Sequence, residues 1–206
     1  MPLPTRAQHA GCRPFVCAKT GGFTLIELMV AIVMVAILIG FAVPSFTSMV
    51  NGNRLTSAVN ELSAGIQSAR MEAIRRSSRV VLCRSDDGLT CNNGAGVWRG
   101  WISFVDTNSD DAPDGGVNSL LRVATLSGTA VISASPAVSG NSNLLIVRSD
   151  GMIRADDRSL LRANLQVCMP TTYPPENLRV MTIDAGSRVS VARGTGGGAC
   201  PPPVDP

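Results

Sequence analysis

Between Gly22 and Pro44 the chain reads FTLIELMVAIVMVAILIGFAV, 21 residues that carry a single charge, Glu27. As a helix this run would be about 31 Å long, against a bilayer hydrocarbon core of roughly 30 Å. The residues ahead of it hold Arg6, Arg13 and Lys19 and no acid. A basic flank on that side implies that it stays in the cytoplasm while the rest of the chain lies outside. A secretory signal has a shorter apolar region, of about 7 to 15 residues. A buried core helix of this length and uniformity would be unusual. A membrane anchor fits both length and flanks but leaves Glu27 unexplained. An acid at the centre of a spanning helix costs roughly 2.5 to 3.5 kcal/mol, less near the boundary, and usually marks a function. The run is therefore read as an anchor in which Glu27 has a partner.

Setting residues 1–22 apart changes the chemistry of the remainder. The whole chain carries 18 Lys plus Arg against 15 Asp plus Glu; without the basic segment the balance is 15 against 15. A remainder with no net side-chain charge offers no bulk electrostatic case for nucleic acid. The same segment holds the only histidine, His9, and the only lysine, Lys19. Without them the chain lacks the commonest general base and the usual Schiff-base amine, which argues against an enzyme and implies no cofactor. Cys12 and Cys17 also lie in the segment, leaving Cys83, Cys91, Cys168 and Cys200. Four cysteines outside the membrane suit disulfides in an oxidising compartment, and without a CxxC pair or histidine zinc is a poor competitor. Of three possible pairings, Cys83–Cys91 with Cys168–Cys200 is favoured: the first is local, and the second pins a tail with little else to hold it.

Beyond Pro44 a second helical pattern follows. Leu55, Val59, Leu62, Ile66, Ala69 and Ala73 recur every three or four residues as one apolar stripe. One long helix from about Phe23 to Arg76 is predicted, apolar all round in its first half and amphipathic in its second. Pro44 and Asn51-Gly52-Asn53 should bend or loosen it. After Ser77 come short β-type runs at 79–84, 97–106, 120–125, 144–148, 165–169, 178–183 and 188–192, with turns at Ser149-Asp150-Gly151 and Asp184-Ala185-Gly186. No helix alternates with them, so an antiparallel sheet is expected. The Gly- and Pro-rich end, 194–206, has the composition of a flexible tail anchored, if at all, by Cys200.

The opening stretch resembles a type IV prepilin: a basic leader ending in Gly22, then Phe23-Thr24-Leu25-Ile26-Glu27, then an unbroken apolar helix reaching Pro44. In that family a membrane-embedded peptidase cuts after the glycine and N-methylates the new first residue, here Phe23. The resemblance makes Glu27 the fifth residue of the mature chain and an assembly device: a neighbour's Glu27 pairs with the exposed amine of Phe23 in a stacked filament. A buried charge without its partner is expensive, so the pair favours one axial register.

Further along, Asn60-Glu61-Leu62, Ala69-Arg70-Met71-Glu72-Ala73, Val80-Val81-Leu82-Cys83, Cys91, Gly100-Trp101-Ile102-Ser103-Phe104-Val105-Asp106 and Leu121-Arg122 resemble the FimT/FimU–GspH group of minor pilins and pseudopilins. The resemblance implies an α+β, type IV pilin-like fold, with a long N-terminal helix on an antiparallel sheet or sandwich. The corresponding divisions are a removed leader at 1–22, a membrane or filament-core helix at 23–43, its amphipathic continuation at 44–77, a β-rich extracytoplasmic domain at 78–193 and the tail at 194–206. At 22 residues the leader is long for the group, and a start codon downstream of Met1 would shorten it.

By the same resemblance the chain is an inner-membrane subunit with a periplasmic domain. Its implied partners are the prepilin peptidase and N-methyltransferase, other minor pilins with a major pilin or pseudopilins, and the inner-membrane assembly platform, and it primes a type IV pilus from a tip complex. A GspH-like role in type II secretion shares every motif. DNA uptake is a third role, since some FimT-like members bind DNA through a C-terminal Gly-Arg-x-Arg element. Here Arg188 and Arg193 follow Gly186, with Ser187 intervening and the second arginine displaced.

Two other features have an ordinary structural reading beside a functional one. Asp106, Asn108, Asp110 and Asp114 fall at the first, third, fifth and ninth places of a calcium-loop pattern. The sixth place, however, is Asp111 instead of Gly, and the twelfth is Val117 instead of Glu. A solvated turn is the default. Trp98 and Trp101, an odd number apart on one presumed strand, should face opposite sides, one in the core and one free for a subunit contact.

Overall fold

Helix α1 runs unbroken over Leu25–Arg76, the one long helix expected, with Pro44 and the Asn-Gly-Asn triplet inside it. The Thr47 hydroxyl donates to the Val43 carbonyl (3.0 Å) and that of Thr56 to the Gly52 carbonyl (2.9 Å). The triplet also docks the helix on the domain: Asn51 Nδ2 donates to the Tyr173 carbonyl at 2.9 Å. The computed structural model describes residues 22–206, so apart from Gly22 the leader, with Arg6, His9, Cys12, Cys17 and Lys19, lies outside the described residues. The described residues divide into two units, one ending at Phe41 and the other Ala42–Pro206.

In the second unit the predicted stripe is the buried face of α1. Leu55, Val59, Leu62, Ile66, Ala69 and Ala73 are shielded, and Gly65 joins them. Each buried Leu, Ile or Val contributes roughly 1.5 to 3 kcal/mol relative to exposure. The helix stops in a Schellman motif: Ser78 N–H donates to Ala73 O and Ser77 N–H to Ile74 O, with Ser77 in the left-handed region at φ 49°.

Nine strands follow, β1 (Arg79–Arg84), β2 (Gly100–Asp106), β3 (Leu120–Thr125), β4 (Val131–Ala134), β5 (Leu144–Val147), β6 (Ile153–Arg154), β7 (Ala163–Cys168), β8 (Leu178–Ile183) and β9 (Val189–Gly194), with one helical turn, α2 (Pro136–Ser139), between β4 and β5. They form two sheets, β3-β2-β1-β5-β6 and β4-β7-β8-β9, in which every pairing is antiparallel. Strand β4 was not foreseen. It is four residues long in a Ser/Ala/Gly-rich stretch, and its place comes from β7 beside it.

The inner faces of both sheets close with α1 on one core. Val80 and Leu82 of β1 enter it, while Val81 and Cys83 point the other way into a smaller cluster with Ile102, Phe104, Leu144 and Ile146. The alternation is that of a strand buried on both faces.

Trp98 and Trp101 do not divide between core and surface, because both are buried in the central core. They do not share a strand. Trp98 exchanges backbone hydrogen bonds with Ile132 of the second sheet (2.7 and 2.9 Å), and the chain then crosses over before β2 begins at Gly100. The crossover resets the alternation from which opposite faces were expected.

The tail is also held. Cys200 is bonded to Cys168, Gln166 Nε2 donates to Pro201 O (2.7 Å), Asn164 Nδ2 to Val204 O (2.7 Å) and Ala137 N–H to the Asp205 carboxylate (3.1 Å). Side chains of β7 thus supply the ladder that a Pro-rich segment cannot form for itself.

Candidate functional site

Among the described residues, the first half of α1 exposes its apolar side chains all round. Phe23 is 84% exposed, Leu25 77% and Phe41 76%, and the large side chains between them are exposed in the same way. The helix is long and apolar enough to cross a membrane, and its most apolar window has no residue buried. A contiguous apolar surface of this size needs lipid or other subunits around it.

Residues 22–24, which include the Gly22–Phe23 bond, precede the helix, and both residues of that bond are exposed. Thr24 then caps it: Glu27 N–H donates to Thr24 Oγ1 at 3.3 Å and Leu28 N–H to the Thr24 carbonyl at 3.1 Å. Thr24-Leu25-Ile26-Glu27 has the T-x-x-E spacing of a capping box, a signal legible in the sequence but not drawn from it. Glu27 therefore lies in the first turn, where a carboxylate suits the positive end of the helix dipole.

The four cysteines form Cys83–Cys91 and Cys168–Cys200. In the loop that the first one closes, Asp87 accepts from the N–H groups of Thr90 and Leu89 and from the hydroxyls of Thr90 and Ser85, which hold its carboxyl far below the usual range.

In the acidic loop the carboxylates of Asp106, Asp110 and Asp114 come within 4.8 Å of one another. Asp106 is buried and ion-paired with Arg79, which also pairs with Asp111. Asp106 accepts from Ser109 N–H (2.7 Å) and Asp111 N–H (3.2 Å), and Asn108 bonds to Asp110. Asp114 accepts from the Thr107 hydroxyl (2.6 Å) and N–H (2.7 Å), which lower its pKa. The acids are thus partnered within the loop and by Arg79, as in a network of side-chain-capped turns.

Arg188 and Arg193 are not brought together. Arg188 precedes β9 and lies 4.0 Å from Asp184, whereas Arg193 stands near the far end of β9, opposite Arg179 of β8. Burial, then the charge of Arg193, lowers the pKa of Arg179.

Arg70 has a role that sequence reasoning missed. Its Nε donates to Gly151 O (2.8 Å) and one terminal nitrogen to Ser187 O (2.9 Å). One guanidinium on α1 therefore fastens the β5–β6 turn of one sheet and the β8–β9 turn of the other. Ile153 N–H closes the junction by donating to Ser187 Oγ at 2.7 Å.

A bare, membrane-length helix capped at a Gly-Phe-Thr-Leu-Ile-Glu start, followed by a two-sheet domain on its amphipathic half, defines a pilin-like subunit. A profile described as "Type II transport protein GspH" matches residues 58–194, and one described as "Prokaryotic N-terminal methylation motif" matches residues 17–43. The chain belongs to the GspH family of minor pilins and pseudopilins. Pilin-like protein PilA1 of Thermus thermophilus is 34% identical over 97 residues, which are 46% of this chain and 54% of that protein, so the match spans about half of that relative.

Among solved structures, the type IV minor pilin FimU of Pseudomonas aeruginosa aligns over 68% of this chain and 89% of its own, with a TM-score of 0.50 and 19% identity. The minor pseudopilin EpsH from the Type 2 Secretion System of Vibrio cholerae aligns over 68% and 97%, with a TM-score of 0.46 and 12% identity. The family is one of structural subunits that meet other pilins in a filament, and the methylation motif with its apolar helix marks a membrane-anchored member.

Proposed function

We propose that this chain is a minor pilin that primes assembly of a type IV pilus. It is cut between Gly22 and Phe23 and methylated on Phe23 by the prepilin peptidase. It is then handed from the inner membrane, domain outward in the periplasm, to the assembly platform and to a tip complex with other minor pilins. The observation that carries the reading is the uncovered apolar half-helix with Glu27 in its first turn. That surface suits lipid before assembly and neighbouring helices after it, and Glu27 gives a new amine on Phe23 a partner at one axial register.

A second reading, a subunit of a type II secretion pseudopilus, is supported by the description of the profile that matches the domain. One experiment separates them: the major pilin sheared from cells lacking the gene. Loss of surface pili, restored by the intact gene, supports priming. Unchanged pili with a defect in secreted protein supports the pseudopilus. Unchanged pili and unchanged secretion sink both.

A further inference from the structure

The outer face of the first sheet carries a row of charges at the end where α1 finishes. In β2 and β1, Asp106 faces Arg79 and their side chains are ion-paired. Val80 faces Val147, so one step further along the two strands Arg79 comes beside Arg148. No ion pair joins Arg148 to a carboxylate among the described residues, and its Nε, like those of Arg79 and Arg84, is shielded from solvent and has no hydrogen-bond partner. A shielded guanidinium nitrogen without an acceptor is costly. Ile146 faces Arg154, which by the two-residue alternation puts Arg154 on the same face as Arg148.

Around Arg148 lies an open hollow of about 420 Å³, lined by Arg148, Ser149, Asp150, Arg154 and Arg158. Arg154 donates to Asp150 (2.8 Å) and to the Arg158 carbonyl (3.0 Å), so one of its faces is committed. Arg158 is held at φ 67° on the turn that leads back toward Leu160. Gly, Asn and Asp are favoured in the left-handed region, so an arginine is held there at a small cost, and such costs are found more often where a side chain binds something.

We propose that this hollow is a binding site for a dianionic phosphoryl group, a phosphate monoester or inorganic phosphate, taken by the guanidinium groups of Arg148, Arg154 and Arg158. Among the residues that line the hollow, three guanidinium groups stand against the one carboxylate of Asp150, an excess that matches a dianion better than a diester's single charge; Asp156 and Asp157 on the same turn are not part of the lining, and Asp157 accepts from Ser159 N–H. Planar guanidinium forks are suited to the oxygens of a tetrahedral oxyanion. The occupant sets an anion beside the Arg148 guanidinium and offsets its repulsion from Arg79. The site is one pocket and not a track, in keeping with a chain whose side chains after residue 22 have no net charge.

The test is calorimetric titration of the full chain in detergent micelles with inorganic phosphate, methyl phosphate and dimethyl phosphate. Saturable binding of the first two, at least about tenfold tighter than dimethyl phosphate, is expected. Arg148→Met, which keeps the apolar stem, should weaken methyl phosphate at least about tenfold, and Arg158→Ala about three- to tenfold. Arg162→Ala, exposed and outside the hollow, should leave it unchanged. Arg158 is exposed on a turn, so its variant remains informative if Arg148→Met does not fold. Equal binding of methyl and dimethyl phosphate, no saturable binding, or full affinity in Arg158→Ala overturns the proposal.

Discussion

The two halves of α1 are built on opposite principles. In the stretch Phe23–Phe46 the large apolar side chains are exposed, whereas from Leu55 to Ala73 one stripe is sealed into a domain core. Backbone geometry does not separate them, since both are plain α-helix. What differs is where the apolar surface is satisfied: the second half inside its own chain, the first only in something else. A residue of the first half should therefore matter to assembly and hardly to folding, and a residue of the second half the reverse.

The strongest test of that contrast is Glu27→Gln, which removes the charge and keeps the shape. Its recovery in sheared filaments should fall at least about tenfold, because loss of one partner leaves the neighbour's buried amine unpaired. Unfolding of the β-rich domain should be unchanged. Normal recovery of the variant would show that Glu27 serves only the helix start. Thr24→Ala isolates that local role, because it removes the acceptor of the Glu27 N–H and should cost about 1 kcal/mol of helix-end stability.

Next in size is a matched pair of truncations. Leu62→Ala, at a side chain with no exposed surface, should cost about 2 to 5 kcal/mol in chemical unfolding. Leu38→Ala, 67% exposed, should stay within about 0.5 kcal/mol in the isolated subunit. Equal effects would erase the distinction.

The glycines of α1 sharpen it further. A Cβ built on Gly65 would lie 2.2 Å from the ring of Trp101, while one on Gly40 would meet nothing within 4 Å. Gly65→Ala forces the indole to move and should cost about 1 to 3 kcal/mol. Gly40→Ala should cost nothing in the isolated subunit. Its effect, if any, should appear only on incorporation, where a neighbouring helix would lie close.

Much of this was legible in the sequence, because the signals are periodic and local. The stripe of α1, the 79–84, 120–125 and 178–183 strands, and both hairpin turns follow from spacing and turn chemistry. What was not legible depends on residues far apart in the chain. Gly65 reads as a weak point in a helix until Trp101 lies on it. Arg70 reads as a solvated charge until Gly151 and Ser187 converge on it. The 194–206 tail has the composition of disorder, but β7 supplies Asn164 and Gln166 as donors to it. The tryptophans misled because strand alternation holds only within one strand, and the chain changes sheets between them. At the candidate site, the prepilin motif was plain in one window of sequence, whereas the hollow of Arg148, Arg154 and Arg158 combines strand register with a strained turn.

The smallest expected effect is one of pH, and it too divides the chain. The first half-helix carries one acid, Glu27. The domain carries a set of carboxyls held below their ordinary values. Asp87 is held there first by the Thr90 N–H, Asp114 by the Thr107 hydroxyl, Asp150 by Arg154 and Glu72 by Arg76. For a carboxyl depressed on folding, the unfolded chain binds the proton more tightly, so the stabilisation is complete above the unfolded value and is lost as pH falls through the folded one. The ordinary values are 3.8 for the aspartates and 4.5 for Glu72. The domain's thermal midpoint should therefore stay level from pH 7 down to about 5 and decline below about 4. These groups lie near the surface, so each contributes little and added salt should blunt the part due to Arg154 and Arg76. Asp87→Asn should flatten part of the decline, since its four donors are neutral and cannot be screened away. A midpoint unchanged down to pH 2, followed by near-UV circular dichroism, would mean that these loops form no better with their carboxylates than without them.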